Sequence, residues 1–186
     1  MKNLFKIAVF MFVVLTTSAF YGQKEKSVMV GGAAMLPSKN IIENALNSKD
    51  HTTLVAAIKA AGLVETLQGK GPFTVFAPTN AAFDKLPKGT VENLLKPENL
   101  EKLKIVLTNH VVTGKMSAAD IVKAIKAGKG KAVLTTVAGG KLTASMKGKN
   151  VIITDENGKS AKVTIADVNQ SNGVIHVIDA VVTPKA

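Results

Sequence analysis

A chain of 186 residues with no cysteine and a formal charge of +11 excludes a disulfide scaffold and a lipid-modified cysteine, and its basic character raises nucleic acid as a partner. Every basic residue is lysine and none is arginine, whereas base readout and bidentate phosphate clamping rely on the planar guanidinium. Beyond residue 22 the aromatics are Phe73, Phe76 and Phe83, gathered in one apolar segment, so the aromatic platforms of single-strand binders are missing as well, and a nucleic-acid partner is not expected.

Along the chain, Lys2 and Lys6 precede the apolar run from Ile7 to Leu15, followed by small residues up to Ala19, the layout of a secretory signal peptide. Ala19, with Thr17 three positions before the cut, suits cleavage, and Gly22 is the alternative; residues 1–22 are set aside on this basis. The run is shorter than the ~20 apolar residues of a bilayer span, and no later segment is apolar enough, so no stable membrane span is expected after cleavage. Loss of Lys2 and Lys6 leaves the mature chain at +9. It is expected to be exported, whether periplasmic, cell-surface or extracellular.

Residues 23–37 are small and mixed around Gly31 and Gly32 and read as an extended, partly mobile leader. Asn40, with Glu43 three positions on, predicts a capped helix. Asp50 is the expected cap of a helix over 51–61, where Leu54, Val55, Ile58 and Ala61 share a face and Gly62 ends the run. Phe73 to Phe76 predicts an early strand, followed by Thr79 or Asn80 as a helix cap. Pro97 suits the first turn of a helix presenting Leu100, Leu103 and Leu107 on one side. Ser117 and Asp120 form a capping box before Ile121, Val122 and Ile125.

From residue 131 the period becomes two. Val133, Thr135 and Val137 alternate, as do Leu142, Ala144 and Met146, with Gly-rich turns between; residues 155–158 predict a hairpin turn, after which Val163, Ile165 and Asp167 share a face. The run from Val174 to Val182 is apolar on both faces, which marks a central strand covered on both sides. Helices followed by a run of mostly antiparallel strands give one α+β domain.

Three stretches, Gly71 to Phe83, Leu107 to Gly114 and Asn172 to Pro184, resemble in order and spacing the fasciclin (FAS1) domain. The resemblance covers residues 38–184. It implies a β-sandwich or wedge of about seven strands with helices packed around one edge, an extracellular or surface setting, and adhesion or association with a cell-surface or matrix protein. It also makes Thr79, Asn80, Asn109, His110, His176 and Asp179 family-motif residues. Animal matrix members carry a Tyr-His pair in the middle motif; here Asn109 precedes His110, so the resemblance does not extend to that tyrosine.

The residues themselves argue against catalysis. Ala77 to Asn80 lacks the Gly-x-Ser-x-Gly of a nucleophile elbow, and His51, His110 and His176 lack the spacing of a local zinc site. His176 and Asp179, three apart on a strand, point to opposite faces and are expected to be buried structural groups, as is His110, while His51 is expected to face solvent. No cofactor is expected. A hydrolase or isomerase whose pocket is assembled from distant residues is the alternative. Lys123, Lys126, Lys129, Lys131, Lys141, Lys147 and Lys149 bracket Gly-rich turns and are expected to form one basic edge, either a solvated surface or a site for anionic polysaccharide, held through long-range attraction.

Overall fold

The computed structural model describes residues 26–185; the expected signal peptide lies outside the described residues. The chain opens with a two-stranded hairpin, β1 (Val28–Val30) and β2 (Ala33–Met35), followed by α1 (Ile41–Ala45), α2 (Thr52–Ala60) and α3 (Val64–Gln68). Then come β3 (Phe73–Pro78), α4 (Asn80–Phe83), α5 (Thr90–Leu94), α6 (Leu100–Thr108), β4 (Val111–Thr113) and α7 (Ala118–Ala127). Five strands complete the fold: β5 (Lys131–Thr135), β6 (Lys141–Lys147), β7 (Asn150–Thr154), β8 (Ser160–Gln170) and β9 (Gly173–Ile178).

Seven strands form one mixed sheet in the order β4-β3-β9-β8-β7-β6-β5. All neighbouring pairs are antiparallel except β3 and β9, the second and third strands from the β4 edge, which run parallel. A bridge between Val112 and Thr136 joins the two ends, so the sheet curls almost into a barrel. This is the expected α+β wedge, made from a single sheet. β9 is buried along its whole length, as a strand apolar on both faces requires. It begins at a glycine for a steric reason: a Cβ on Gly173 would stand 2.1 Å from the Phe73 carbonyl oxygen.

Strand alternation divides the core in two. Phe76 and Ile178 point into the barrel, where they meet Leu134, Leu142, Ala144, Ile153 and Ala161, and α7 adds Ile121 and Ile125 to the same cluster. Val75, Ala77, Ile175 and Val177 point outward and are covered by α1, α2, α3 and α6 through Ile42, Ile58, Leu67, Leu103 and Leu107. Among the described residues no helix covers the outer positions of β5, β6, β7 and the start of β8.

Local signals place the helix ends where expected at two sites. Asn40 and Glu43 form a reciprocal capping box on α1, and Ser117 and Asp120 form another on α7. Two expectations are corrected. Asp50 does not cap α2, because a 3-10 turn, Lys49–His51, leads into that helix. The leader is folded from residue 28: Val30 and Met35 are buried against the outer cluster, and the Gly31 carbonyl accepts the Lys49 amide at 3.1 Å. The hairpin is held by what it covers. A third expectation is altered in β8, where Asp167 adopts φ +58° inside a bulged stretch, which breaks the face shared by Val163, Ile165 and Asp167 and buries Val168 instead.

Candidate functional site

Thr79 and Asn80 close helix ends, and they close different ones. Thr79 Oγ1 accepts from the Ala82 amide at 3.3 Å and caps α4. Asn80 Oδ1 accepts from the Thr53 amide at 3.0 Å, and its Nδ2 donates to the Lys49 carbonyl at 2.9 Å and to Thr52 Oγ1 at 3.0 Å. Asn80 thus supplies from 27 residues away the cap expected of Asp50.

Asn109 and His110 end α6 inside the protein, with exposures of 1% and 2%. Asn109 Oδ1 accepts from Thr136 Oγ1 at 3.2 Å and so fixes the β5–β6 turn against the α6–β4 corner. His110 Nδ1 donates to the Val106 carbonyl at 2.8 Å, and its Nε2 accepts from the Val182 amide at 3.2 Å. These two bonds require a neutral ring with the proton on Nδ1. Burial pushes the imidazole from its ordinary 6.5 down to about 4, against the opposing pull of the Val106 carbonyl and Asp155.

His176 stands on the inner face of β9, stacked on Phe76 with ring centroids 5.7 Å apart. Its Nδ1 accepts from the Asp167 amide at 3.3 Å and its Nε2 donates to the Met116 carbonyl at 2.8 Å. The proton therefore sits on the other nitrogen, the opposite tautomer to His110. Burial lowers this ring as well, with Met116 and Asp167 acting in the opposite sense. Asp167 in turn accepts from the Ala118 amide at 2.7 Å, so the bulge in β8, the ring on β9 and the start of α7 are one hydrogen-bonded unit.

Asp179 lies just past the end of β9, away from His176, as their spacing requires. Its Oδ1 accepts from the Lys162 amide at 2.8 Å. The expectation of burial is corrected: its side chain is 40% exposed, and Lys85 stands 3.8 Å from the carboxylate, because β9 ends where the helical cover ends. His51 is corrected in the other direction. It is 2% exposed, enclosed by the hairpin and α1 beside an apolar cavity of about 20 Å³. Its Nδ1 meets Ser48 Oγ at 2.9 Å. The Ala77 carbonyl favours the charged ring, yet desolvation dominates and lowers its pKa, and Nε2 forms no hydrogen bond of good geometry.

Sequence reasoning missed Asp155. This carboxylate is 5% exposed; one oxygen accepts from the Asn157 and Lys159 amides and the other from the amide and hydroxyl of Thr183. It also missed Asn172, whose Oδ1 accepts from the Ile41 amide while its Nδ2 donates to Leu67 and Gly69. Asn172 opens the third resembling stretch, and its invisible partners lie more than 100 residues away.

The structure does not bring the histidines and Asp179 into one open pocket. His110 borders an apolar cavity of about 50 Å³ under α5 and α6. Among the described residues, two open grooves of about 320 and 360 Å³ are lined by Ala118, Val122, Lys149 and Thr164 in one case and by residues of the 83–92 segment in the other, with no histidine in either. Among the described residues no cluster of three or more His, Asp or Glu side chains is arranged to hold a metal.

The seven lysines are all exposed, but they do not share one edge. α7 packs on the inner side of β5 and β6, so Lys123 and Lys126 point away from the sheet on that side. Lys131, Lys141 and Lys147 alternate with the buried Ala132, Leu142 and Ala144 and leave from the opposite face. Lys129 and Lys149 sit in the turns at the strand ends. The split follows from which face of the sheet the helix covers, a fact that spacing alone does not contain.

With this geometry in view, the fasciclin domain model matches residues 49–184. The chain belongs to the fasciclin family. Among similar proteins, sll1483 of Synechocystis is 49% identical over 160 residues, spanning 86% of this chain and 82% of that protein. The cell surface glycolipoprotein MPB83 of Mycobacterium bovis is 31% identical over 161 residues, 84% of this chain and 66% of its own length. The FAS1 domain pair of the insect cell adhesion molecule fasciclin I superposes with a TM-score of 0.69 at 20% identity, over 81% of this chain and 52% of that one, which establishes the shared fold. Among the described residues of this fasciclin protein, no helix is long and apolar enough to cross a membrane.

Proposed function

We propose that this fasciclin protein is exported and works as a non-enzymatic module that associates with the cell surface or the surrounding matrix, through a surface or matrix protein or an anionic polysaccharide. The observation that carries the reading is the fate of its polar motif residues. His110 and His176 are internal with both ring nitrogens of each engaged with backbone, and Asn109 is internal with its Oδ1 on the Thr136 hydroxyl. They are unavailable for chemistry or for direct recognition. What the outer side of β5, β6 and β7 offers is mostly lysine and hydroxyl groups.

This reading is supported by the family, whose relatives include proteins named for the cell surface and for cell adhesion. A pocket enzyme gains no support from these grooves, since Lys149 and Thr164 in one, and Asp84, Lys88 and Glu92 in the other, are not hydrogen-bonded or ion-paired with one another. The mature protein is expected to begin at Phe20 or Gln23, as intact-mass analysis of exported material measures. It is expected to co-sediment saturably with isolated envelope or matrix fractions. Retention of residues 1–19 in a membrane pellet overturns the export part, and failure to sediment with any such fraction overturns the association.

A further inference from the structure

We propose that the bare outer face of β5, β6, β7 and the start of β8 is the site at which this protein binds an extended polyanionic polysaccharide. The proposal rests on the surface-association reading above and names its partner and its place. Register fixes what this face presents. Lys131, Ser145, Ile152 and Lys162 lie in one line across the four strands. Val133, Thr143, Thr154 and Ser160 form the next line, and Thr135 and Lys141 begin a third. Lys147 pairs with Asn150 beyond the first line.

Strand spacing turns this register into a footprint. Neighbouring strands lie about 4.8 Å apart, so the backbones of Lys131 and Lys162 are about 14 Å apart across three gaps. Lys141 and Lys147 are about 20 Å apart along β6 at about 3.3 Å per residue. Four ammonium groups on long stems thus surround a shallow floor bearing the hydroxyls of Thr143, Ser145, Thr154 and Ser160. No aspartate or glutamate occurs in residues 131–135, 141–147, 150–154 or 160–165. The nearest acidic groups sit at the margins, with Glu156 on the Lys141 amide and Asp179 on the Lys162 amide.

That chemistry selects among anionic partners. A folded acidic protein needs an apolar centre to its interface, and this face offers only Val133, 62% exposed, and the half-buried Ile152. A membrane surface calls for an apolar wedge beside the charges, which a single valine does not make. Nucleic acid is disfavoured by the absence of arginine from the chain and of aromatics from this face. A hydrated chain bearing sulfate or carboxylate groups at intervals, with hydroxyls between them, matches separated point charges around a hydroxyl floor. The lysines attract it from a distance, and the threonines and serines exchange water for sugar hydroxyls.

The test sets two equal charge changes against each other in the exported full chain. The pair Lys131→Glu/Lys162→Glu alters the first cross-strand line, and the pair Lys123→Glu/Lys126→Glu alters the outer side of α7; all four side chains are exposed. Binding to dextran sulfate and to alginate is measured by titration at 0.1 M salt, with neutral dextran and phosphatidylglycerol vesicles alongside. The sheet pair is expected to bind at least ~10-fold more weakly and the α7 pair within ~3-fold of the parent, with binding fading toward 1 M salt as the Debye length falls from ~10 to ~3 Å. Preference between the two polymers reads whether sulfate or carboxylate is the recognised group. The corresponding Gln pairs, checked by thermal melts, replace any Glu pair that folds poorly. Equal losses from both pairs reduce the effect to net charge and overturn the proposal, as does binding to vesicles with no binding to either polymer. If neither polymer binds but the protein still sediments with envelope or matrix, the proposal fails and the association reading stands; if it sediments with nothing, both fail.

Discussion

Acid should loosen this protein earlier than its carboxylates alone would, and His110 is the main cause. Protonating the ring places a new Nε2–H against the Val182 amide that now donates to it, in a buried position. Between its ordinary 6.5 and its folded value of about 4, the unfolded chain binds a proton at this site that the folded chain does not. Stability therefore rises with pH through that window and is lost as pH falls through it. From pH 7.5 to 5 the loss from this one ring is about 2 kcal/mol, approaching about 3 kcal/mol below pH 4. Against the 5–15 kcal/mol typical of a domain, that is a large share. His51 and His176, lowered by burial in the same way, act in the same direction. Urea denaturation at pH 7.5, 6 and 5 measures the loss, and His110→Gln should be less stable at pH 7.5 yet lose about 2 kcal/mol less on acidification. An unchanged pH slope in that variant, or a His110 ring titrating near 6.5 by NMR, refutes the reasoning.

His176→Ala removes two hydrogen bonds and the ring stacked on Phe76 from a covered strand, so a loss of about 3 kcal/mol is expected in denaturant melts; Asp179→Ala, half exposed with water to replace it, should cost about 1 kcal/mol. Binding should fall in both only as far as folding does, and a variant that melts like the parent but no longer binds contradicts a structural role. Asp155→Ala leaves four donors without their carboxylate, of which those on Thr183 are the most enclosed, and is expected to lose about 2–3 kcal/mol; a change below ~1 kcal/mol shows that water or a neighbouring group takes its place.

Features set by neighbouring residues were legible in the sequence. The Asn40 and Ser117 caps need only a residue three positions on, and the alternation of β5 to β7 needs only a uniform outer face. The apolar run of β9 announced a covered strand, and its motif announced the family. Features set by distant partners were not. Nothing near Asp50 shows that Asn80 will take the N-terminus of α2, and nothing near His51 shows that a hairpin 16 or more residues earlier will cover it. Asp155 looked like an ordinary turn residue because Thr183, which buries its carboxylate, is 28 positions away. The burial of His110 and His176 was readable for a different reason: an apolar run tolerates a histidine only where both ring nitrogens find partners or the ring stays neutral. Their partners, Val182 for one and Met116 and Asp167 for the other, required coordinates.

The division of the core explains why the face proposed for binding is bare. β3 and β9 are apolar on both sides because one side fills the barrel and the other receives four helices. Among the described residues no helix lies over β5, β6 and β7, so their outer positions face solvent and are expected to be polar. They are: lysine, threonine, serine and asparagine occupy them, with Val133 and Ile152 as exceptions. These outer positions contribute little to either cluster. Substitutions among them should therefore change what the surface attracts while leaving the melting behaviour near that of the parent, whereas substitutions at His110, Asp155 or His176 act on the frame first. On this proposal, recognition falls to the outer face of β5, β6 and β7 and stability to their inner face and the frame around it.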